Sequence, residues 1–229
     1  MVIPAGGDFS MSEHRTVGVL YFIFGVIGVL GNVLVIFIFS QYKPLSGSRG
    51  RLHISLALSN MMVVAGTPFS GSSAFAGRWL FGDLGCQLYG LETYTGGMGA
   101  CVFAVLVCVQ RYLSTNSPKS YDASSWPAFM FTIGWLYSIG VAVGPLLGWN
   151  SYTIESSGTA CGLNWNKDDF SHRSMFIALP AITIIQMLIA ALSIRSALSA
   201  HGAAEVDEKD WFTSKQLNMV RHFKSLCPN

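Results

Sequence analysis

The chain has 229 residues, of which 51% are hydrophobic and only 11% are charged, and its mean hydropathy is +0.45. A soluble domain carries about 25% charged residues, so this composition indicates a membrane protein and excludes an ordinary soluble domain. The net charge of +2 is too small to predict a nucleic-acid partner.

Five apolar stretches follow one another along the chain, and each is about as long as the 20 residues that cross a bilayer. They run Val17–Phe39, Leu52–Ala76, Leu88–Tyr112, Trp126–Leu147 and Met175–Leu198. The segments that connect them are short and leave no room for a separate soluble domain. We therefore divide the chain into an N-terminal segment 1–16, a five-span domain 17–200 and a charged segment 201–229.

The first stretch has a second interpretation, as a cleaved signal peptide. A signal core has only about 7–15 apolar residues and follows a basic segment. Val17–Phe39 is longer than that, and it follows a mixture of charges that includes Glu13 and Arg15. The pattern favours a retained span.

The distribution of lysine and arginine predicts the orientation, because positive charge is retained on the cytoplasmic side of a membrane. With the N-terminus outside, ten of the 14 basic residues fall on the cytoplasmic side. Only four fall on the other side, namely Arg15, Arg78, Lys167 and Arg173. We expect a multi-pass protein of the cell membrane whose partner is the lipid bilayer, with segment 1–16 extracellular and segment 201–229 cytoplasmic.

The five cysteines fall into three groups. Cys86 and Cys161 lie on the predicted outer side, where oxidising conditions allow a disulfide to persist, so we expect a bridge between them. Cys101 and Cys108 lie within the third stretch and are predicted to be small packing residues. Cys227 lies in the charged segment, either as a free thiol or as a palmitoylation site.

Several short motifs fall in a consistent order and depth along the spans. They are Gly31-Asn32-x-x-Val35, Leu56–Asn60, Trp79–Gly82 followed by Cys86, Gln110-Arg111-Tyr112, Trp135, and Pro145–Trp149. Together these motifs resemble those of the rhodopsin-like G-protein-coupled receptors, and the PLLGW ending of the fourth span resembles the opsins. The resemblance implies an all-α membrane protein that contains the first five helices of a seven-helix bundle, with a second extracellular loop shaped like a β-hairpin.

The resemblance also assigns two residues to the end of the bundle that would face a G protein. Arg111 and Tyr112 are expected to face a heterotrimeric G protein. The family restrains this arginine with a preceding acid, whereas Gln110 cannot form that ion pair, so signalling is expected to be altered or more active without light. The alternative for Arg111 is an anchor of the helix at the membrane interface.

Three further residues are expected in the bundle core: Asn32, Asn60 and Trp135. Asn60 stands where the family has an aspartate, and an amide weakens any ion site there while it keeps hydrogen bonds. No catalytic or metal-ligating set is predicted.

Glu155 falls at the second-loop glutamate that serves many opsins as the counterion of retinal. The third-helix position that vertebrate visual pigments use is Tyr89 instead. Together with Gly158–Trp165, this favours the peropsin, neuropsin and retinal-pigment-epithelium retinal receptor branch, or an invertebrate relative. From its position alone Glu155 is equally a solvated loop carboxylate.

Glu92 is the alternative counterion, because carboxylates within spans are usually functional.

An opsin attaches retinal to a buried lysine in its seventh helix. The six lysines of this chain all lie outside the five stretches: Lys43, Lys119, Lys167, Lys209, Lys215 and Lys224. The chain by itself is therefore not expected to bind retinal covalently, and we expect a C-terminally truncated form, whether a splice product, a fragment or an incomplete gene model.

The resemblance implies an opsin-type photoreceptor that binds retinal and shifts toward a G-protein-binding state when it absorbs light. The alternatives are a retinal photoisomerase with weak signalling, which Gln110 favours, and a non-photic rhodopsin-like receptor. Pro145–Trp149 and Glu155 count against the last of these.

Overall fold

The computed structural model describes residues 9–42, 50–116 and 125–203. The described part is almost entirely helical, as expected. In chain order its elements are α1 Met11–Gln41, α2 Gly50–Ala65, α3 Thr67–Ala76, α4 Gly82–Asn116, α5 Trp126–Val143, a 3₁₀ helix Gly144–Leu147, β1 Tyr152–Ile154, β2 Cys161–Leu163 and α6 Phe170–Ala203. The predicted hairpin after the fourth span is the small antiparallel sheet β1–β2.

Five spans in the described part are long and apolar enough to cross a membrane, which confirms the predicted number. In chain order, spans 1 to 5 are Met11–Gln41, Gly50–Ala76, Gly82–Ser114, Trp126–Leu147 and Phe170–Ser196. Spans 1, 2, 3 and 5 begin before their apolar stretches, because polar turns continue a helix beyond its apolar centre. The charged segment from residue 204 onward, with Cys227, lies outside the described residues, as do Lys43 and Lys119.

The start of span 1 shows how a polar turn extends a helix. The Ser10 side chain accepts a hydrogen bond from the Glu13 backbone N–H at 3.3 Å, and the Glu13 carboxylate accepts one from the Ser10 N–H at 2.6 Å. This capping box satisfies two backbone donors that a helix start otherwise leaves unpaired. The helix consequently begins at Met11, inside the segment 1–16.

Span 2 is interrupted between α2 and α3, where Pro68 predicts a kink. Gly66 separates the two helices, and Pro68 lies in the first turn of α3, where the missing proline N–H is not needed. The backbone N–H groups of Phe69 and Ser70 both donate to the Gly66 carbonyl at 3.1 and 3.2 Å. The break turns the Ser70 side chain toward span 3.

Span 3 is the centre of the bundle and contacts spans 2, 4 and 5 and both strands. A Cβ atom at Gly96 would come within 2.7 Å of the Ser59 carbonyl oxygen, so only glycine allows spans 2 and 3 to approach this closely. Phe103 forms a buried cluster with Leu52 and Met130. Spans 1 and 5 keep most of their apolar side chains exposed, which suits helices that face lipid.

Candidate functional site

The β1–β2 hairpin folds over the end of the bundle where spans 3 and 5 begin, and we call it the lid. The chain turns sharply into the lid after span 4, with positive φ angles at Gly148 (95°) and Asn150 (75°). Tyr152 pairs with Leu163, Thr153 with Gly162 and Ile154 with Cys161. Because side chains alternate along a strand, Thr153, Glu155 and Gly162 share the face opposite to the one that Cys161 occupies.

Tyr152 holds the lid against the helices. Its ring lies directly over Gly90 of span 3, where any side chain would collide with it. Its hydroxyl donates to the Ala142 carbonyl of span 4 at 2.8 Å, and its carbonyl accepts from Gln87 Nε2 at 2.9 Å. Burial raises the pKa of the Tyr152 phenol, so the hydroxyl remains a donor at physiological pH.

A disulfide joins Cys86 at the start of span 3 to Cys161 in β2, as predicted, with their Cα atoms 5.4 Å apart. Both cysteines are buried in a cluster with Trp79, against which Tyr89 and Ile154 pack. The bridge therefore holds the second strand of the lid directly above the outer turns of span 3.

Polar contacts tie the other side of the lid to span 5. The Ser171 hydroxyl donates to the Gly148 carbonyl at 2.7 Å and accepts from the Asn150 N–H at 2.9 Å. His172 Nδ1 lies 2.6 Å from the Asp169 carboxylate, and this hydrogen bond is the main reason that the pKa of Asp169 is lowered. The lid is thus fixed along both of its edges.

Glu155 ends β1 and closes the turn of the lid. Its backbone N–H donates to the Ala160 carbonyl at 3.0 Å, and its carbonyl accepts from the Gly158 N–H at 2.8 Å. The residue as a whole is exposed, but its carboxylate folds back onto Gly162. This burial of the carboxyl end raises the pKa of Glu155.

The Glu155 carboxylate lies within electrostatic range of three phenol groups of the bundle. Its charge acts on the phenol groups of Tyr21 in span 1 and of Tyr89 and Tyr94 in span 3. Its negative charge is thus felt at the end of the bundle that carries the lid, although the residue itself is exposed.

Gly162 allows the Glu155 carboxylate to lie where it does, because a Cβ atom at 162 would overlap a carboxylate oxygen. Because this oxygen ends a flexible side chain that can move aside, we expect Gly162→Ala to reduce the free energy of unfolding by about 1 kcal/mol or less. A Glu155→Ala background should remove this cost, so a double-mutant cycle on unfolding in micelles measures the contact.

Gly140→Ala is the matched control for this cycle. A Cβ atom at Gly140 meets nothing within 4 Å, and alanine is the better helix former, so this variant should be neutral or slightly more stable. Equal costs of Gly162→Ala with and without Glu155 would show that the two residues do not contact.

Tyr89 and Glu92 lie on span 3 below the lid. The Tyr89 hydroxyl is 2.6 Å from Ser70 Oγ, and its ring packs edge-on against Trp79 with centroids 5.2 Å apart. Glu92 is half-buried one turn further along, and its charge acts on Tyr89. Glu155 and Glu92 thus both act on Tyr89, but only Glu155 belongs to the lid.

The predicted core residues make direct polar contacts between spans. Asn60 Nδ2 donates to Asn32 Oδ1 at 3.2 Å, and Asn32 Nδ2 donates to the Gly28 carbonyl at 2.8 Å. Trp135 Nε1 donates to Ser55 Oγ at 3.3 Å. These bonds join span 1 to span 2 and span 2 to span 4 within the apolar interior.

The end of span 3 opposite the lid carries Gln110, Arg111 and Tyr112. Gln110 is buried, and Arg111 and Tyr112 are half-buried. The structure places these three residues together at the end of the bundle farthest from Glu155, so the coupling residues and the counterion candidate occupy opposite ends of span 3. The role of each stays a prediction.

Sequence reasoning missed Tyr21, Ser70 and Gly162. Tyr21 stands among aromatic and aliphatic residues in span 1, and Ser70 follows the break of span 2. For Tyr21 the one available signal was a hydroxyl within an otherwise apolar run, whereas Ser70 lies among other serines and Gly162 has no side chain. The approach of Tyr21 and Gly162 to Glu155 depends on how the spans and the lid pack, which no local pattern contains.

The described spans contain no lysine, and Lys167, between β2 and α6, is the one lysine within the described ranges. Open space does exist beside span 3, because a Cβ atom at Gly97 would meet nothing within 4 Å. The described spans therefore do not include a lysine to which retinal could be attached.

Comparison with known proteins gives consistent relatives. The family model of the 7 transmembrane receptor (rhodopsin family) matches residues 31–227. Retinochrome from Todarodes pacificus is 31% identical over 221 residues, covering 93% of this chain and 73% of retinochrome. The human visual pigment-like receptor peropsin is 32% identical, covering 79% of this chain and 54% of peropsin. Rhodopsin from Enteroctopus dofleini is 34% identical, covering 72% of this chain and 38% of that rhodopsin.

The crystal structure of squid rhodopsin has the same fold, with a TM-score of 0.77 at 24% identity, covering 89% of this chain and 57% of that chain. The chain thus spans about three quarters of the retinochrome and about half or less of the peropsin and rhodopsin that it matches. The similarity to peropsins supports the branch expected from Tyr89.

Proposed function

The chain belongs to the rhodopsin family of seven-transmembrane receptors and is a multi-pass membrane protein of the opsin type, and on that premise we propose that it acts as a retinal-binding photoreceptor. The observation that carries the proposal is the position of Glu155. The lid is fixed by a disulfide and by Tyr152, and it holds one carboxylate over the bundle with no basic side chain among the three groups on which its charge acts.

A partly desolvated carboxylate of this kind has a physical purpose when a cation is brought to it. Moving a cation from water into a protein interior costs several kcal/mol unless an opposite charge compensates. Retinal bound as a protonated Schiff base supplies such a cation and the light-absorbing chemistry. Glu155 would hold the proton on that group. Without a cation beside it, the partly desolvated carboxyl is protonated more easily than an ordinary glutamate, which is why its pKa is raised.

The other residues of the site would shape and close the pocket. Gly97 leaves space beside span 3, and Tyr89 and Tyr94 line the same span below the lid. The disulfide keeps the lid in place, which excludes bulk water and strengthens the electrostatic effect of Glu155. The attachment lysine must come from outside the five spans of this chain.

We also propose that Arg111 and Tyr112 contact a heterotrimeric G protein on the cytoplasmic side, with the N-terminus outside the cell. This orientation follows from the bias of basic residues described above. Gln110 stands where the family has an acid, so the restraint of Arg111 by an ion pair is missing from this position. Coupling would then depend less on light than in a receptor with the acid.

Gln110 favours a second candidate, a retinal photoisomerase that signals weakly. Such a protein needs the counterion and the lid in the same way, but it does not need a switch at the opposite end of span 3. A non-photic receptor of the same family is disfavoured by Pro145–Trp149, which overlaps the 3₁₀ helix Gly144–Leu147 that leads into the lid.

The proposal is tested on the longest transcript product that contains these 229 residues. The purified protein is given 11-cis and all-trans retinal separately, and uptake of either isomer with a visible absorption band supports a pigment. Light-dependent nucleotide exchange on a G protein then favours the photoreceptor, and net isomer production without exchange favours the isomerase. A product with no buried lysine and no visible band with either isomer would refute both.

A further inference from the structure

The short loop between spans 2 and 3, residues 77–81, is a built turn at the lid end of the bundle. Gly77 before it and Gly82 after it have positive φ angles of 65° and 64°, which glycine adopts without steric cost. The indole Nε1 of Trp79 donates to the Gly82 carbonyl at 2.9 Å. This hydrogen bond closes the loop onto the start of span 3 and fixes the direction of its side chains.

The loop and the first turns of span 3 expose large apolar side chains. Leu84 is 73% exposed, and Leu88, one turn further along the same face, is 58% exposed. Leu80 and Phe81 are exposed as well, and the Phe81 ring packs edge-on against Phe69 of α3 with centroids 4.9 Å apart. We call these five residues the loop patch. An exposed apolar patch of this kind marks a surface that contacts another apolar surface.

The length of span 3 places the loop patch at the edge of the bilayer. Span 3 has 33 residues, which at about 1.5 Å per residue gives a helix about 50 Å long. The hydrocarbon core of a bilayer is about 30 Å thick, and the headgroups increase this to about 40–45 Å. The first turns of span 3, with Leu84 and Leu88, therefore reach the headgroup layer, and the patch continues the lipid-facing surface of the spans.

Two charged residues lie among the members of the loop patch. Arg78 immediately precedes Trp79, and the exposed Asp83 immediately precedes Leu84. A long basic side chain can lay its stem along an apolar surface while its charged end reaches phosphate or water. Charges are costly at the centre of a bilayer, and they are depleted at the core of a protein interface. Apolar side chains beside charges instead suit the boundary between headgroups and acyl chains.

Trp79 connects the loop patch to the lid. Its ring is buried and packs edge-on against both Phe81 and Tyr89, with centroids 5.2 Å apart in each pair. The same cluster contains the bridge between Cys86 and Cys161, which holds β2. A continuous series of packed side chains thus joins the exposed ring of Phe81 to the second strand of the lid.

We propose that the loop patch inserts into the headgroup layer of the leaflet on the lid side, so that a phospholipid surface is the partner of this loop and anchors the lid through Trp79. The proposal rests on the membrane class of the chain and does not depend on retinal. A second copy of the chain is the competing occupant of the patch, and the charges of Arg78 and Asp83 disfavour it.

The test measures the accessibility of nitroxide spin labels in phosphatidylcholine nanodiscs that hold one chain each. The longest transcript product is used, with every cysteine except Cys86 and Cys161 replaced by serine. Single labels are attached in the variants Leu84→Cys and Leu80→Cys. Oxygen is enriched in the lipid and a nickel chelate stays in the water, so the two relaxation agents distinguish the two surroundings.

Two matched variants calibrate the measurement. Asn166→Cys places a label on the exposed segment between β2 and α6, which serves as the water control. Leu136→Cys places one in the middle of span 4, where the side chain is 63% exposed, and serves as the lipid control. We expect the labels at 84 and 80 to have several-fold lower nickel accessibility than the label at 166, together with oxygen accessibility close to that at 136.

Circular dichroism shows which variants are folded, and either of the two loop positions suffices for the test. Nickel accessibility at the loop positions equal to that at 166 would overturn the proposal, because the loop would then lie in water. Low accessibility to both agents would also overturn it, and if this occurs only in discs that hold two chains, the patch belongs to a second copy. Failure of the protein to bind retinal would refute the pigment function without changing these accessibilities.

Discussion

Glu155→Gln is expected to lower the pKa of the retinal Schiff base by about 1–3, the range that an opposite charge within a few ångströms produces. The amide keeps the size and the hydrogen-bonding capacity of the side chain but removes the charge. The visible absorption band of the protonated form should therefore be lost at a lower pH than in the wild type. A spectrophotometric pH titration of the pigment reconstituted from the longest transcript product, in buffer without halide ions, measures the change.

The same substitution has a predicted effect without retinal, and its sign follows from the raised pKa of Glu155. Between the pKa of the unfolded chain and the higher pKa of the folded chain, the folded protein binds more protons, so stability falls as the pH rises through this window. Glu155→Gln cannot titrate and should remove this fall. Unfolding in micelles between about pH 4 and pH 7, above and below the ordinary pKa of a glutamate, checks the prediction.

Glu92→Gln is the matched control for the Schiff-base measurement. Glu92 is the other carboxylate that acts on Tyr89, but it does not belong to the lid. If Glu92→Gln lowers the Schiff-base pKa and Glu155→Gln does not, then the counterion is Glu92 and the lid carboxylate has no electrostatic role.

Removing the bridge with Cys86→Ser and Cys161→Ser together is expected to reduce the free energy of unfolding by about 2–4 kcal/mol. The bridge closes a loop between residues 75 positions apart, and opening it restores conformational freedom to the unfolded chain. The double replacement avoids a lone buried thiol. Denaturant unfolding in micelles, compared with the disulfide-bonded wild type, gives the magnitude.

The bridge should also matter for Glu155, because it holds the second strand of the lid above span 3. Without it we expect the carboxyl to become more solvated and its pKa to return toward the ordinary value for glutamate. Cys101→Ser is the control, since Cys101 is a free and exposed cysteine within the same span. A double variant as stable as this control, with an unchanged Glu155 titration, would show that the lid is held by Tyr152 and span 5 alone.

The number of spans could be predicted from the sequence because a bilayer requires every span to be about 20 apolar residues long, and such stretches are visible without any tertiary information. The helix ends were less well predicted. Span 1 begins at Met11 because Ser10 and Glu13 cap it, and a capping box depends on two polar residues that an apolar count ignores.

The disulfide could also be predicted from the sequence. Cys86 and Cys161 are the two cysteines on the predicted outer side of the membrane, and the resemblance to the family implies that they are paired. What this reasoning could not provide is the consequence of the bridge, namely which face of β2 meets span 3 and which face carries Glu155. That depends on the alternation of side chains in a three-residue strand pair.

The amino-acid sequence by itself determined the membrane class, the five spans, the paired cysteines and the identity of the lid acid, because each of these depends on composition, length or order along the chain. Only the tertiary structure decided where the Glu155 carboxylate lies, what space Gly162 leaves for it, and that its charge acts on Tyr21. Tyr21 precedes Glu155 by more than half of the chain. Two groups so far apart in sequence meet only because three spans and a disulfide-linked lid pack at one end of the bundle.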